Sequence, residues 1–151
     1  MLKKAYVEIT NRCNLACSFC PKTRRALRTM SAQEFGLVLS RLEGYVQYVY
    51  LHLMGEPLLH PELSSFFALA GARGMKVCIT TNGTLLEKRA DELLNAESLH
   101  KISVSLHSFE GNDGADGQEL SYLTQVWDFA EKAAKKGVIV ALRLWNDGGA
   151  D

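Results

Sequence analysis

Short runs rich in apolar and β-branched residues alternate along this chain with segments in which apolar residues recur every three or four positions. The first pattern is typical of strands buried in a sheet, and the second of amphipathic helices. The predicted strands are residues 5–10, 48–53, 76–81, 101–106 and 138–144. Strands that alternate with helices indicate βα units, so the sequence predicts an α/β fold with a five-stranded parallel sheet.

Four helices are expected between these strands. Capping boxes that begin at Ser31 and Thr84 mark the start of the first and third helices. The second helix is expected to begin near Pro61, and the fourth to cover about residues 118–136. In the fourth helix, the positions predicted to face the core are Leu123, Trp127, Ala130 and Ala134.

The chain has 151 residues, of which 47% are hydrophobic and 23% are charged, as expected for a single globular domain over residues 1–151. Because it has 17 basic and 17 acidic residues, no net field attracts nucleic acid or an acidic membrane, and neither partner is expected. No apolar run has the length of a membrane span, and the N-terminus lacks the apolar stretch of a signal peptide. We therefore predict a cytoplasmic protein.

Three of the four cysteines, Cys13, Cys17 and Cys20, lie close together directly after the first predicted strand. Such crowding favours metal binding in a reducing compartment over a disulfide framework. Three thiolates can hold three corners of a cubic iron–sulfur cluster, which leaves the fourth iron open to a non-protein ligand. Zinc is the alternative, but it normally has a fourth protein ligand, and Cys78 is expected to pack within the third strand.

Polar residues also follow the other predicted strands, at residues 54–57, 80–83 and 103–107, and Arg143 lies in the fifth. In parallel βα folds, the carboxyl ends of the strands meet at one rim, where ligands bind. The sequence therefore predicts one site that is built from several strand ends, with the three cysteines at the first of them.

The Cys-x3-Cys-x2-Cys loop, with the aromatic Phe19 before its last cysteine, resembles the signature of the radical S-adenosylmethionine (radical SAM) enzymes. Residues 54–63, with the sequence MGEPLLHPEL, and residues 81–86, with the sequence TNGTLL, resemble the second and third conserved blocks of that family. The resemblance runs from about Tyr6 to Arg143 and implies a partial TIM-type (β/α)6 barrel. About five of its strands are present, so this core domain is expected to lack its C-terminal part.

The resemblance implies a [4Fe–4S] cluster held by Cys13, Cys17 and Cys20, with the amino and carboxylate groups of S-adenosylmethionine on the open iron. One electron would then cleave the sulfonium C–S bond of this cofactor. The products are methionine and a 5′-deoxyadenosyl radical, which abstracts hydrogen from an unreactive C–H bond of a substrate. An electron donor such as a flavodoxin or ferredoxin is implied as a partner.

The same resemblance assigns cofactor contacts to residues at other strand ends. Glu56, between Gly55 and Pro57, is implied to accept hydrogen bonds from the ammonium group of S-adenosylmethionine. The alternative for Glu56 is a surface carboxylate in a turn. Phe19 is expected beside the adenine, and Ser105 at the ribose or the carboxylate of the cofactor.

Two further cofactor contacts have structural alternatives. Asn82 either touches the cofactor or stabilises the Thr-Asn-Gly turn. Arg143 either pairs with the cofactor's carboxylate or lies at a frayed end of the chain. The sequence departs from the family at Met54, where glycine is common, and at His107, where an acidic residue is often found.

Many relatives with a similar second block act on peptides or on precursors of cofactors, so peptide or protein modification, or cofactor maturation, is the predicted role. Two alternatives stay open, an iron–sulfur electron carrier and an inactive, truncated domain that binds a partner. The cations of residues 22–28 either dock an acidic electron donor or belong to a solvated loop. Residues 110–117 are expected to form a flexible polar loop rather than a calcium site.

Overall fold

The computed structural model describes residues 3–112 and 118–144. Within these residues it contains one sheet of five parallel strands, in the order β1-β2-β3-β4-β5. The strands are β1 Lys4–Tyr6, β2 Tyr48–Tyr50, β3 Lys76–Thr81, β4 Leu99–Ser105 and β5 Ile139–Arg143. Strands that lie side by side in chain order are the arrangement of a βα barrel wall, so the predicted partial barrel of about five strands is confirmed.

Helices and a 3₁₀ turn connect the strands. They are α1 Ala32–Leu42, the 3₁₀ turn Pro57–Leu59, α2 Leu63–Gly71, α3 Leu86–Leu94, α4 His107–Glu110 and α5 Glu119–Lys135. The short helix α4 was not predicted, and the predicted polar loop lies outside the described residues from residue 113 onward. Among the helices of the described ranges, none combines the length and the apolar character needed to span a bilayer.

The first strand is shorter than predicted, because the chain beyond it pairs with a different segment. The N–H of Val7 still donates to the carbonyl of Tyr50 at 2.8 Å, as a strand residue would. Thr10 then forms an antiparallel bridge to Thr29, and the carbonyl of Ile9 accepts from the N–H of Met30 at 2.8 Å. The end of the predicted strand therefore closes the cysteine-containing segment into a loop.

One predicted capping box is confirmed and the other is wrong. At the start of α1, the Ser31 hydroxyl accepts from the N–H of Glu34, and the Glu34 carboxylate accepts from the N–H of Ser31. Helix α3 instead begins after Leu85 without a side-chain cap. The hydroxyl of Thr84 donates to the side-chain oxygen of Asn82 at 2.7 Å, so it is used in the preceding turn.

Within residues 3–112 and 118–144, the helices cover one face of the sheet. The strand residues that pack against the helices all lie on one face of the sheet, because successive side chains of a strand point to opposite faces. They include Val49, Leu51, Val77, Ile79, Ile102 and Val104, each of which is at most 1% exposed. Strand residues on the other face of the sheet point away from the helices, toward what would be the inside of the barrel.

The prediction for the buried face of α5 is wrong by one residue. The buried side chains are Tyr122, Val126, Phe129 and Ala133. Apolar side chains form two adjacent stripes along this helix, and contacts with the rest of the fold determine which stripe is buried. The ring of Tyr122 stacks on Phe109, and its hydroxyl donates to the carbonyl of Asn82 at 2.8 Å. These contacts fix the rotation of α5 and leave the predicted Trp127 61% exposed.

This rotation predicts very different effects for the two large aromatic residues of α5. Replacing Phe129, which is 3% exposed, by alanine should lower the free energy of unfolding by about 3–5 kcal/mol, because it opens a cavity in the core. Trp127→Ala should change it by less than about 1 kcal/mol, because the indole lies mostly in solvent. Urea denaturation of both variants measures this, and a larger loss for Trp127→Ala would contradict the observed rotation.

Candidate functional site

The carboxyl ends of the strands surround a cavity of about 300 Å³. All three clustered cysteines lie in its wall, together with five of the other predicted site residues: Phe19, Gly55, Glu56, Asn82 and Ser105. A larger cleft of about 540 Å³ lies between α2 and α3 on the helix side of the sheet and contains none of these residues. The structure therefore brings most of the predicted site together in one place.

Two predicted site residues lie outside the wall of this cavity. Pro57 is buried and occupies the first position of the 3₁₀ turn, where its fixed φ angle suits the start of a helix. Arg143 is exposed at the end of β5 and lies opposite Ser105 in the strand register. Its carbonyl accepts from the N–H of Leu106, directly after β4, at 3.0 Å.

Glu56 joins three strand ends through its carboxylate and its backbone N–H. One oxygen accepts from the N–H of Leu58 at 3.0 Å and from the hydroxyl of Thr81 at 2.8 Å, while the other accepts from the N–H of Asn82 at 2.7 Å. The backbone N–H of Glu56 donates to the carbonyl of Arg12 in the cysteine loop at 2.7 Å. The residue is 1% exposed, so the alternative of a surface carboxylate is wrong.

Burial dominates the ionisation of Glu56. Removal from water raises the pKa of its carboxyl group, and the hydrogen bonds from Asn82, Leu58 and Thr81 partly offset this by favouring the charged form. A carboxylate has about four acceptor positions, and three are used by the chain itself. Glu56 thus has a structural role and retains capacity to accept one further hydrogen bond from the cavity.

Gly55 allows the second loop to approach the cysteine loop closely. Its φ angle is +79°, and a Cβ atom at this position would lie 2.6 Å from the carbonyl oxygen of Thr10 and 2.7 Å from that of Arg12. Both neighbours are backbone atoms and cannot rotate away. Only glycine satisfies this combination of left-handed backbone and close contact.

Asn82 stabilises the turn, which is one of the two roles that the sequence left open, and its contact with the cofactor stays a prediction. Its side-chain oxygen accepts from the N–H of Thr84 at 3.0 Å, which closes the turn. Its amide nitrogen donates to the side-chain oxygen of Asn14 at 3.0 Å and lies 3.9 Å from the sulfur of Cys13. The turn after β3 therefore supports the cysteine loop directly.

A second support for the cysteine loop comes from the turn after α4, and sequence reasoning missed it. The side chain of Asn112 accepts from the N–H of Ala16 at 2.9 Å and donates to the sulfur of Cys17 at 3.1 Å. Nearby, the N–H of Ser18 donates to the carbonyl of Gly111 at 3.0 Å. No pattern in the sequence distinguishes Asn112 from the other polar residues of its loop.

The aromatic ring of Phe19 lies at the rim of the cavity against this same turn. Its centroid is 5.1 Å from that of the His107 ring, with an interplanar angle of 60°. A Cβ atom at Gly111 would lie 2.5 Å from the ring, so glycine is needed for this packing. His107 is thus a packing partner of Phe19, and the expected position of Phe19 beside the adenine stays a prediction.

The three thiols suit an iron–sulfur cluster better than a single metal ion. Within the described residues, no three His, Cys, Asp or Glu side chains are arranged to hold one ion, so the zinc alternative has no ready site. A cubic cluster instead presents a separate iron to each thiolate, and thiolate is the donor that such clusters take. Cys13, Cys17 and Cys20 in the wall of one cavity fit that requirement.

Cys13 is the thiol most affected by its surroundings. Partial shielding from water raises its pKa, a backbone hydrogen bond at Leu15 lowers it, and the charges of Glu56 and Cys17 raise it again. The thiolate is therefore disfavoured until a cation is bound. Since metal ligands must be deprotonated, binding at this site is expected to release protons.

The basic segment at residues 22–28 is partly neutralised by the chain itself. Arg25 pairs with Glu8 at 2.7 Å, and Arg28 pairs with Glu34. Lys22, at a φ angle of +52°, lies in the wall of the cavity. The surface available to an acidic electron donor is thus less basic than the sequence suggested, and docking there stays a prediction.

Comparison with known proteins identifies a family. The Radical SAM superfamily description matches residues 7–145. GTP 3′,8-cyclase of Chlorobaculum tepidum is 33% identical over 108 residues, which are 69% of this chain and 32% of the cyclase. Fe-coproporphyrin III synthase of Methanosarcina barkeri is 30% identical over 140 residues, or 90% of this chain and 35% of the synthase. The chain spans about a third of the length of these relatives.

Solved structures show the same fold. BtrN in complex with AdoMet and 2-DOIA superposes with a TM-score of 0.61 at 22% identity, covering 95% of this chain and 57% of BtrN. Streptococcus suis SuiB bound to the precursor peptide SuiA superposes with a TM-score of 0.60 at 17% identity, covering 92% of this chain and 39% of SuiB. At these identities the likeness concerns the fold.

The close approach at Gly55 predicts a substitution effect that can be separated from backbone strain. Gly55→Ala should lower the free energy of unfolding by more than about 2 kcal/mol, since it adds a clash to the cost of a left-handed backbone. Gly44→Ala is the matched control, because Gly44 has a φ angle of +77° and no atom within 4 Å of the added Cβ. The control should lose only about 1 kcal/mol. Equal losses in urea denaturation would contradict the close-contact explanation.

Removal of the Glu56 carboxylate should destabilise the apoprotein. Glu56→Ala leaves three buried donors without an acceptor, so the free energy of unfolding should fall by about 3 kcal/mol or more. Glu62→Ala, at an exposed position whose side chain caps no helix, should change it by less than about 0.5 kcal/mol. Urea denaturation compares the two, and a similar small loss at both positions would refute the joining role of Glu56.

Proposed function

This chain belongs to the radical SAM superfamily, and we propose that it serves the reductive cleavage of S-adenosylmethionine to a 5′-deoxyadenosyl radical for hydrogen abstraction. The observation that carries this proposal is the shared cavity: three cysteines and a buried carboxylate lie in one wall at the carboxyl ends of parallel strands. Ligands of βα folds bind at this end of the sheet.

Within the proposal, Cys13, Cys17 and Cys20 hold the cluster, and the contacts of Asn82 and Asn112 orient the loop that carries them. A bound [4Fe–4S] cluster supplies the electron for the cleavage and an open iron for the cofactor. Hydrogen bonds to the ligating residues and to their loop hold the ligands in place and tune a metal site.

The remaining residues of the wall would bind the organic part of the cofactor. Glu56 accepts a hydrogen bond from the ammonium group of the cofactor at the acceptor position that the chain leaves unused. Gly55 keeps the backbone beside it close to the cysteine loop. Ser105, buried at the end of β4, offers a hydroxyl to the ribose or the carboxylate. Phe19 at the rim lies beside the adenine, and Arg143 pairs with the carboxylate only if its side chain turns toward the cavity.

The cavity also bears on the two alternative functions. An electron carrier needs only cluster ligands, whereas about 300 Å³ of space beside the cysteines suits a small-molecule ligand. The inactive partner-binding domain is less favoured because all three thiols and the buried carboxylate are in place. Glu56 itself does not separate these functions, since its bonds within the chain give it a structural role in each of them.

The substrate is proposed from the relatives. Two of them are named for GTP and for Fe-coproporphyrin III, and one structural neighbour is bound to a precursor peptide. These names support a small-molecule substrate more than a peptide, because the relatives named for small molecules share 30% or more identity with this chain. A flavodoxin or ferredoxin as electron donor and a cytoplasmic location complete the proposal.

The proposal predicts an outcome for each cysteine. After anaerobic reconstitution with iron and sulfide, the wild type should hold about four iron atoms per chain and form 5′-deoxyadenosine with dithionite and S-adenosylmethionine. Cys13→Ala, Cys17→Ala and Cys20→Ala should each lose iron and product. Cys78→Ala, at the fourth cysteine of the chain, should keep both. Unchanged iron content in Cys13→Ala, or no product from a cluster-loaded wild type, would overturn the proposal.

A further inference from the structure

The face of the sheet that the helices leave open is unusually aromatic. Tyr6 and Tyr50 occupy paired positions of β1 and β2, with ring centroids 4.9 Å apart. The ring of His52 lies edge-on to both of them, at 5.5 Å from Tyr6 and 5.7 Å from Tyr50. Tyr6 is 46% exposed, and Tyr50 and His52 are partly exposed; these three residues form an aromatic platform.

The open face is also positively charged. By the strand register, Lys4, Lys101 and Arg143 lie on the same face of the sheet as Tyr6 and Tyr50. The ammonium group of Lys4 is 5.5 Å from the Tyr6 ring. None of the five described strands contains an aspartate or a glutamate. Glu8, two residues beyond Tyr6, already pairs with Arg25 at 2.7 Å. The cations of this face therefore lack acidic partners within the five strands, and the face favours anions.

His52 has a hydrogen-bonding atom that the described part of the chain does not satisfy. Its Nε2 lies 3.4 Å from the hydroxyl of Thr80, but its Nδ1 is buried without a partner. Buried polar atoms in folded proteins normally have one. Burial and the charge of Arg143 lower the pKa of His52 to about 4, so the ring is neutral at pH 7.

The open face is continuous with the cavity that holds the cysteines. Thr80 contacts His52 and also lies in the cavity wall, as Ser105 does at the mouth of the same face. A molecule on the aromatic platform would therefore lie next to a cofactor in the cavity. Hydrogen abstraction requires such proximity between the reacting groups.

We propose that this face binds the substrate and selects a planar aromatic molecule that carries anionic groups. The rings of Tyr6 and Tyr50 stack on the planar part, as aromatic side chains do with nucleobases and similar systems. Lys4, Lys101 and Arg143 bind the phosphate or carboxylate groups. The Nδ1 atom of His52, which has no partner among the described residues, offers the bound molecule one hydrogen bond.

This inference rests on the proposed function, because it deepens the same site, but binding can be tested without turnover. Two probes, GTP and coproporphyrin III, combine a planar ring system with anionic groups. Guanosine has the planar base without a charge, and tripolyphosphate has the charge without a ring. Calorimetric titration of the chain, both as apoprotein and after reconstitution, gives their dissociation constants. The two planar anions also distinguish a nucleotide from a porphyrin.

At least one of the two planar anions should bind, and guanosine and tripolyphosphate should bind at least about ten-fold more weakly. Lys101→Gln and Tyr50→Leu should each weaken binding by about ten-fold, whereas Lys88→Gln, on the exposed side of α3, should not change it. Circular dichroism checks that each variant folds. If Tyr50→Leu does not fold, Lys101→Gln alone tests the prediction.

The inference is overturned if neither planar anion binds, if both variants bind as the wild type does, or if an uncharged peptide binds more tightly than either probe. Its failure is distinguishable from failure of the proposed function. Loss of 5′-deoxyadenosine formation with intact binding refutes the function alone. Intact formation with no binding at this face refutes the inference alone.

Discussion

The buried carboxylate of Glu56 is the interaction on which the candidate site depends. It holds the end of β3 through Thr81 and Asn82, while the backbone of the same residue holds the cysteine loop through Arg12. Burying a carboxylate is costly, and only the three donors directed at it make the arrangement stable. The loops of β1, β2 and β3 are therefore fixed relative to each other before any cofactor binds.

The division of the sheet into two faces explains how one small fold supplies both stability and a site. One face is filled by aliphatic residues packed against the helices, whereas the other carries tyrosines, a histidine and cations with few apolar contacts. A parallel sheet is normally covered on both faces, so the uncovered one is suited to a ligand. The strand ends then connect this open face to the cavity that contains the cysteines.

Local patterns predicted what depends on neighbours in sequence. The alternation of strands and helices, the Ser31 capping box and the grouping of the cysteines at a strand end all follow from short spacings. The contact of Asn112 with Cys17 joins residues far apart in the chain, so no local pattern reveals it. The rotation of α5 likewise depends on the hydrogen bond from Tyr122 to Asn82. The hydroxyl of Thr84 donates to Asn82 in the preceding turn, and a capping pattern does not predict that bond.

We propose that three cysteines hold a cluster whose fourth iron faces the cavity, where it binds S-adenosylmethionine. Electron paramagnetic resonance of the reconstituted, dithionite-reduced chain, with and without S-adenosylmethionine, tests this most directly. The account predicts the signal of a reduced [4Fe–4S] cluster that changes when the cofactor is added, because the open iron gains a ligand. A cluster signal that the cofactor leaves unchanged would contradict it.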